Sequence, residues 1–123
     1  MSCLFCTLPQ SKIIDSNALA VAFYDAFPVT RYHTLVIPKR HVADYFELEE
    51  AEVGAIQELL RQQKARLMQM DDSITGFNIG VNVGEDAGQS VFHAHVHLIP
   101  RRRGDMNDPK GGVRGVIPAK QKY

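Results

Sequence analysis

The sequence predicts an α+β domain with a mostly antiparallel sheet. Two observations carry this. Short apolar runs of strand character flank one long segment of helical periodicity, and no repeat, linker or low-complexity tract interrupts residues 1–105. The 123 residues suffice for one domain with a real core, not for two. Residues 1–105 are its expected body, and 106–123 an extended C-terminal tail.

The first strands come from "IIDSNALAVAFYD", which reads as strand, turn, strand with Asp15, Ser16 and Asn17 in the turn. In "HTLVIPKRH" the β-branched run Leu35-Val36-Ile37 is a third strand, stopped by Pro38. From Glu47 to Met70 the pattern turns helical, with Val53, Ile56, Leu60 and Leu67 on one stripe. Acidic residues open that helix (Glu47, Glu49, Glu50, Glu52) and basic ones close it (Arg61, Lys64, Arg66), as the macrodipole favours. "GFNIGVNV", residues 76–83, is a further strand, followed by the loop "GEDAGQ" and a last strand through "FHAHVHLIP". The tail "RRRGDMNDPKGGVRGVIPAKQKY" has Gly and Pro but no periodicity.

Composition excludes several functions. Lys+Arg and Asp+Glu balance at 14 each, so no global field draws the chain to nucleic acid or to an anionic membrane. No apolar run approaches the roughly 20 residues of a membrane span. "MSCLFCTLPQSK" lacks the basic start and long apolar core of a secretory leader, and Cys3 and Cys6 are too close together to staple a fold. A cytoplasmic, reducing location is the expectation.

All five histidines fall within residues 33–41 and 93–97. On a strand His93, His95 and His97 share one face, with Ala94, Val96 and Leu98 on the other. Same-facing imidazoles suit a transition metal, or a covalent attack by one ring that its neighbours position. The loop before them decides between these. Gly84 and Gly88 let backbone N–H groups approach an anion, and Asn82, Gln89 and Ser90 are neutral donors suited to phosphate oxygens. A metal site would more naturally bring a carboxylate to the histidine face, so the pattern points to a phosphate-directed nucleophile. Cys3-Leu-Phe-Cys6 is open to a redox, a zinc-binding or an unmodified-thiol reading.

"QSVFHAHVHLIP" resembles the His-x-His-x-His-x-x motif of the histidine triad family of nucleotide hydrolases and transferases. The likeness extends through "NVGEDAGQ", "HTLVIPKRH" and "AFYD" in the family's order and covers residues 3–105. It implies a sheet of about five strands with one long and one short helix. It also implies that His95 attacks the α-phosphorus of an AMP-containing substrate, forming an AMP–histidine intermediate that water cleaves. His97, Gln89 and Ser90 then contact the phosphate and leaving group, and Asn82 supports that loop. His33 backs the nucleophile, and Asp25 binds the ribose hydroxyls. Leu4, Phe5 and Phe23 enclose the purine, with plain core the competing reading for each.

Relatives often carry Pro-Gly-His where this chain has Arg31-Tyr32-His33, so the turn there is expected to be built differently. The N-terminal pair resembles a zinc-bearing subgroup in which Cys3, Cys6, His41 and His93 hold a structural zinc. Substrates would be nucleoside phosphoramidates or dinucleoside polyphosphates. Arg101, Arg102 and Arg103 suit the latter, with magnesium entering as its polyphosphate complex. A homodimer through the helix and the "GFNIGVNV" edge is implied as well. Two other classes compete: a non-catalytic, zinc-stabilised module that binds purine nucleotides, and a metallohydrolase using all three histidines.

Overall fold

The computed structural model describes residues 3–123. Five strands, β1 (Ile13–Ser16), β2 (Ala20–Tyr24), β3 (Thr34–Pro38), β4 (Ile74–Gly80) and β5 (Val96–Arg102), form one sheet in the order β1-β2-β3-β5-β4. Every neighbouring pair is antiparallel. One long helix, α1 (Glu50–Met70), packs across β2 and β3. Short helical segments elsewhere are all 3-10 turns, including Tyr45–Glu47 and, in the C-terminal segment, Gly112–Val116 and Pro118–Lys120.

Strand alternation divides the molecule into two faces. Ala20 and Ala22 of β2, Val36 of β3, and Val96 and Leu98 of β5 meet Ile56, Leu59, Leu60 and Leu67 of α1 in the main core. The residues between them point the other way. Val21, Phe23, Leu35 and Ile37 form a second cluster, covered by Phe5, Leu8 and Ile13 of the N-terminal segment. His97 lies opposite Leu35 in the ladder, so it belongs to this second face, away from the helix.

Several boundaries differ from the sequence reading, each for a local reason. Asp15 and Ser16 stay in β1, because Asn17 alone makes the turn: its Oδ1 accepts the N–H groups of Leu19 (3.1 Å) and Ala20 (3.0 Å). The helix starts at Glu50, not Glu47. Asp44 caps a separate 3-10 turn by accepting Phe46 N–H at 2.8 Å, and Glu52 Oε1 then accepts Glu49 N–H at 2.8 Å where α1 begins. Val53 is 39% exposed, and Leu59, absent from the sequence stripe, is fully buried in its stead. β4 begins at Ile74 and ends at Gly80, short of Asn82. β5 begins at Val96, so His93 and His95 lie just ahead of the ladder, where Ala94 N–H donates to Val42 O at 2.7 Å.

The turn into β3 contains the one positive φ among the described non-glycine residues, Tyr32 at 72°. His33 N–H donates to Thr30 O at 3.1 Å, which makes Tyr32 the third residue of a turn where Gly is the usual choice. The expectation of a different turn is thus corrected: the left-handed geometry is kept with a tyrosine in it. Its ring packs on the main core and lies 5.9 Å from the Tyr24 ring, contacts that offset a backbone cost of about 1 kcal/mol. The tail is not simply extended. It folds into its two 3-10 turns beside β4.

Glu52 is 3% exposed and also takes the Arg40 guanidinium at 2.8 Å. Glu52→Ala should therefore lower unfolding free energy by about 1–2 kcal/mol in urea titration. A loss below about 0.3 kcal/mol would show that neither contact matters to stability.

Candidate functional site

Three chain segments converge on the second face. Asp25 follows β2, His33 precedes β3, and His95 and His97 stand at the start of β5; Asp25 N–H donates to His33 O at 2.9 Å and ties the first two together. The hydrogen bonds then settle where each imidazole proton sits, because a backbone carbonyl only accepts and an amide N–H only donates. His95 Nδ1 lies 2.9 Å from the His93 carbonyl, so Nδ1 carries the proton and Nε2 keeps the free lone pair. Val29 N–H donates to His33 Nδ1 at 3.0 Å, so the His33 proton is on Nε2. That Nε2–H points at His97 Nδ1, 2.9 Å away, which places the His97 proton on Nε2.

Burial keeps two of these rings neutral. It depresses His97 to about 4, helped by the neighbouring His95 and His33 and opposed by Asp25. Burial also lowers His33, against the pull of Asp25, whose Oδ2 is 3.5 Å from His33 Nε2. His33 therefore supports His97 directly and His95 only through it; the His95 and His97 rings are 5.2 Å apart.

A cavity of about 370 Å³ opens onto His95 and His97. Asp25, Asn82 and Ser90 line it, as do Leu4, Phe5 and Phe23. The core reading holds for Phe23, which is 4% exposed, and fails for Leu4, which is 67% exposed at the rim. Phe5 stands edge-on between Phe23 (5.3 Å) and the His95 ring (5.2 Å). Asp25 Oδ1 accepts Phe27 N–H at 2.9 Å, leaving further lone pairs on the carboxylate for hydroxyl groups. Phe27 itself, 88% exposed on the cavity wall, was missed from sequence; its signal is a second aromatic two residues after Asp25. Lys12 was missed too.

Gln89 does not reach the cavity. Its amide Nε2 donates to Ala43 O (2.8 Å) and Val91 O (3.1 Å), and its Oε1 accepts Gly84 N–H (2.9 Å). With that amide committed to backbone, Gln89 shapes the loop. The arginines are likewise occupied. Arg101 grips Asp105 and Asn78, and Arg102 grips Asp71. At about 3.3 Å per residue Arg101 lies roughly 13 Å along β5 from His97.

Cys3, Cys6, His41 and His93 form a separate cluster whose ligand atoms all lie within 4.8 Å of one another. His93 Nε2–H donates to Pro38 O at 2.8 Å, so Nδ1 is the free ligand atom. Nδ1 is 3.6 Å from Cys3 Sγ, 3.5 Å from Cys6 Sγ and 3.3 Å from His41 Nδ1. A tetrahedral zinc with Zn–S of about 2.3 Å and Zn–N of about 2.0 Å has S···N edges near 3.5 Å and N···N edges near 3.3 Å. The residues fit zinc, and His93 is not among the residues lining the His95 cavity. Asp25, His33 and His97 also cluster, but the Val29 hydrogen bond leaves His33 Nε2 protonated and unfit to ligate. Among the described residues neither cluster offers the all-oxygen set that magnesium prefers.

The model of the HIT domain family matches residues 8–104. The chain belongs to the HIT domain family. An uncharacterized HIT-like protein of Mycoplasma genitalium is 43% identical over 104 residues, which is 81% of this chain and 73% of that protein. A zinc-bound histidine triad family protein from Mycobacterium smegmatis superposes with a TM-score of 0.75 at 34% identity, covering 87% of this chain and 80% of that one. A Plasmodium falciparum diadenosine triphosphate hydrolase, solved with Cyclomarin A, gives 0.70 at 26% identity over 82% of this chain and 68% of its own. The HIT architecture, one long helix on a five-stranded antiparallel sheet, is the one seen here. Its members make up a superfamily of nucleotide hydrolases and transferases.

The His97 shift sets a pH dependence. Between pH 6.5 and about 4 the unfolded chain binds a proton on His97 that the folded chain refuses, so stability falls as pH falls through that window. Thermal melts from pH 7 to 4 should show a shallower decline in His97→Gln than in the parent. Parallel slopes would mean that His97 titrates normally in the fold.

Proposed function

We propose that this chain is a nucleotidyl hydrolase acting at the α-phosphate of AMP-containing substrates, either nucleoside phosphoramidates or dinucleoside polyphosphates. The observation that carries the reading is the His95 tautomer: a buried imidazole whose Nδ1–H is held by a carbonyl and whose Nε2 lone pair faces a cavity of nucleotide size. The relationship to a diadenosine triphosphate hydrolase supports hydrolysis at a nucleotide phosphate.

In this reading the purine sits among Leu4, Phe5, Phe23 and Phe27, and Asp25 takes the ribose hydroxyls. His95 Nε2 attacks the α-phosphorus. The N–P bond forms as the bond from phosphorus to the leaving group breaks, and the departing amine or phosphate takes its proton from solvent. The positive charge that develops on His95 is stabilised by its bond to the His93 carbonyl. His97 Nε2–H, with Ser90 and Asn82, donates to phosphate oxygens as their charge grows. Water then attacks phosphorus, the N–P bond breaks, and the nucleoside monophosphate leaves while a proton returns to solvent. His33 and Gln89 are positioning residues here, the first fixing the His97 tautomer and the second the loop of Gly84 and Ser90. Should a polyphosphate be the substrate, magnesium would arrive bound to it.

Zinc at Cys3, Cys6, His41 and His93 belongs to the same proposal, as a closed structural ion supported by the edge distances and by the zinc-bound relative. Thiolates held in this way suit a reducing cytoplasm. A homodimer also belongs to it, since β4 is a sheet edge with Ile79 54% exposed and a second copy can pair along it.

His95→Ala should lose several orders of magnitude in turnover of AMP–lysine or diadenosine tetraphosphate while still binding AMP, and acid-quenched wild type should carry a covalent AMP by mass spectrometry. Turnover within tenfold of wild type would refute the nucleophile; AMP binding with no turnover of either substrate by wild type would favour the binding module. Cys3→Ser with Cys6→Ser should lower Tm by several degrees and abolish stoichiometric zinc in elemental analysis. An unchanged Tm with equal zinc content would remove the metal site.

A further inference from the structure

Residues 30–33 form the turn that delivers His33, and each carbonyl of that turn is occupied. Thr30 O accepts His33 N–H at 3.1 Å, and His33 O accepts Asp25 N–H at 2.9 Å. Between them, Arg31 O accepts from Arg102 Nη2 at 3.1 Å and Tyr32 O from the Thr34 hydroxyl at 2.8 Å. The far side of the His33 ring is held from outside the turn, where Val29 N–H donates to its Nδ1 at 3.0 Å. Residues 26–29 are exposed, Val29 at 70%. Thr30 beside them is half-buried, and its hydroxyl donates to Pro100 O at 2.6 Å.

Pro100 lies in β5, the strand that carries His97. β5 pairs with β3 only as far as Leu98, which faces Thr34 at the start of β3. Past that point Thr30 gives β5 a hydrogen bond that β3 does not supply. The contact fastens the backbone next to the Val29 amide to the strand of His97. A neutral imidazole carries its proton on either nitrogen, and its partners choose. With the Val29 amide on Nδ1, the His33 proton sits on Nε2, and that of His97, whose Nδ1 is 2.9 Å away, sits on its own Nε2. Without the amide, both protons are free to move to Nδ1. His33 Nε2 would then accept from His97 Nδ1–H, and His97 Nε2 would present a lone pair in place of a proton. Asp25 Oδ2, 3.5 Å from His33 Nε2, favours the first arrangement from longer range. Ionised phosphate oxygens only accept, so the two arrangements decide whether His97 attracts or repels them.

We infer that Thr30 is a positioning residue: its bond to Pro100 holds the Val29 amide against His33 and so keeps His97 a hydrogen-bond donor. Thr30 itself does not line the cavity that His95 and His97 share, and acts only through the two rings. The choice of tautomer stands without reference to any reaction; its effect on turnover rests on the α-phosphate reading above. A serine keeps the donor, whereas a valine keeps the shape and loses it.

The test compares Thr30→Val with Thr30→Ser in ¹⁵N-labelled protein, where long-range proton–nitrogen correlation spectra report which imidazole nitrogens carry protons. In wild type and Thr30→Ser, Nε2 of both His33 and His97 should be protonated and Nδ1 bare. In Thr30→Val the His97 Nδ1 signal should move toward the protonated range. With AMP–lysine as substrate, kcat of that variant should fall about tenfold while KM changes less than about twofold. Thr30→Ser should stay within about threefold of wild type in kcat. Thr30→Ala, which adds no bulk, takes the place of valine should that variant fail to fold. Unchanged His33 and His97 signals in a folded valine or alanine variant would overturn the inference. So would a signal shift that Thr30→Ser shows equally, which would assign the effect to packing, or a shift with no loss of kcat. The two proposals fail separately. Tautomers that respond to Thr30 in a wild type that turns over neither AMP–lysine nor diadenosine tetraphosphate sink the hydrolase reading alone. Turnover by wild type with tautomers indifferent to Thr30 sinks only this inference.

Discussion

His93 is tied at three points, and the rest of the site hangs from those ties. Its Nε2–H is given to the Pro38 carbonyl, its Nδ1 faces two cysteines and His41, and its own carbonyl fixes the proton of His95. Each tie involves a different part of the chain: the end of β3, the N-terminal segment and the loop into β5. The position of His95 is thereby set by backbone and cluster together, immediately before the β5 ladder begins. An imidazole in a free loop would sample many rotamers; that of His95 has its tautomer fixed by the His93 carbonyl before any ligand arrives.

The second constraint is the two-residue period of β2, β3 and β5. It sends small and branched residues toward α1 and sends Phe23, Leu35 and His97 to the other face. The helix thus stabilises the sheet without touching the cavity, and the cavity is roofed by the N-terminal segment that also carries both cysteines. The main core and the cavity share strands yet no side chain of β2, β3 or β5.

Much of this could be read from the sequence. The His-x-His-x-His alternation and the glycine loop point to the cavity by spacing and residue type, whereas the full four-residue cluster is implied only by the family resemblance, because long stretches of chain separate its members. What escaped reading depended on which partner each polar side chain takes, which residue spacing does not reveal. Gln89 looks like a phosphate donor until the backbone of Ala43 and Val91 claims its amide. Arg101 and Arg102 look like phosphate ligands until Asp105 and Asp71 are seen beside them. Tyr32 contradicts a rule about positive φ that its ring contacts override, and Val53 sits at the margin of a stripe whose true centre is Leu59 and Leu67. The turn at Asn17 was displaced because one Asx side chain outcompeted its two neighbours.

The neutral state of His33 and His97 has a consequence for how an anion is held. Lys12, at the rim, is the sole Lys or Arg among the described residues lining the nucleotide cavity, and Asp25 opposes it. In the proposed reading, recognition of a phosphate there falls to oriented N–H and O–H dipoles, whose attraction is short in range and strongly dependent on angle. Mobile ions screen such contacts far less than they screen pairs of full charges. Encounter with substrate is accordingly governed by diffusion and fit, with little electrostatic steering, and salt concentration should leave it nearly unchanged.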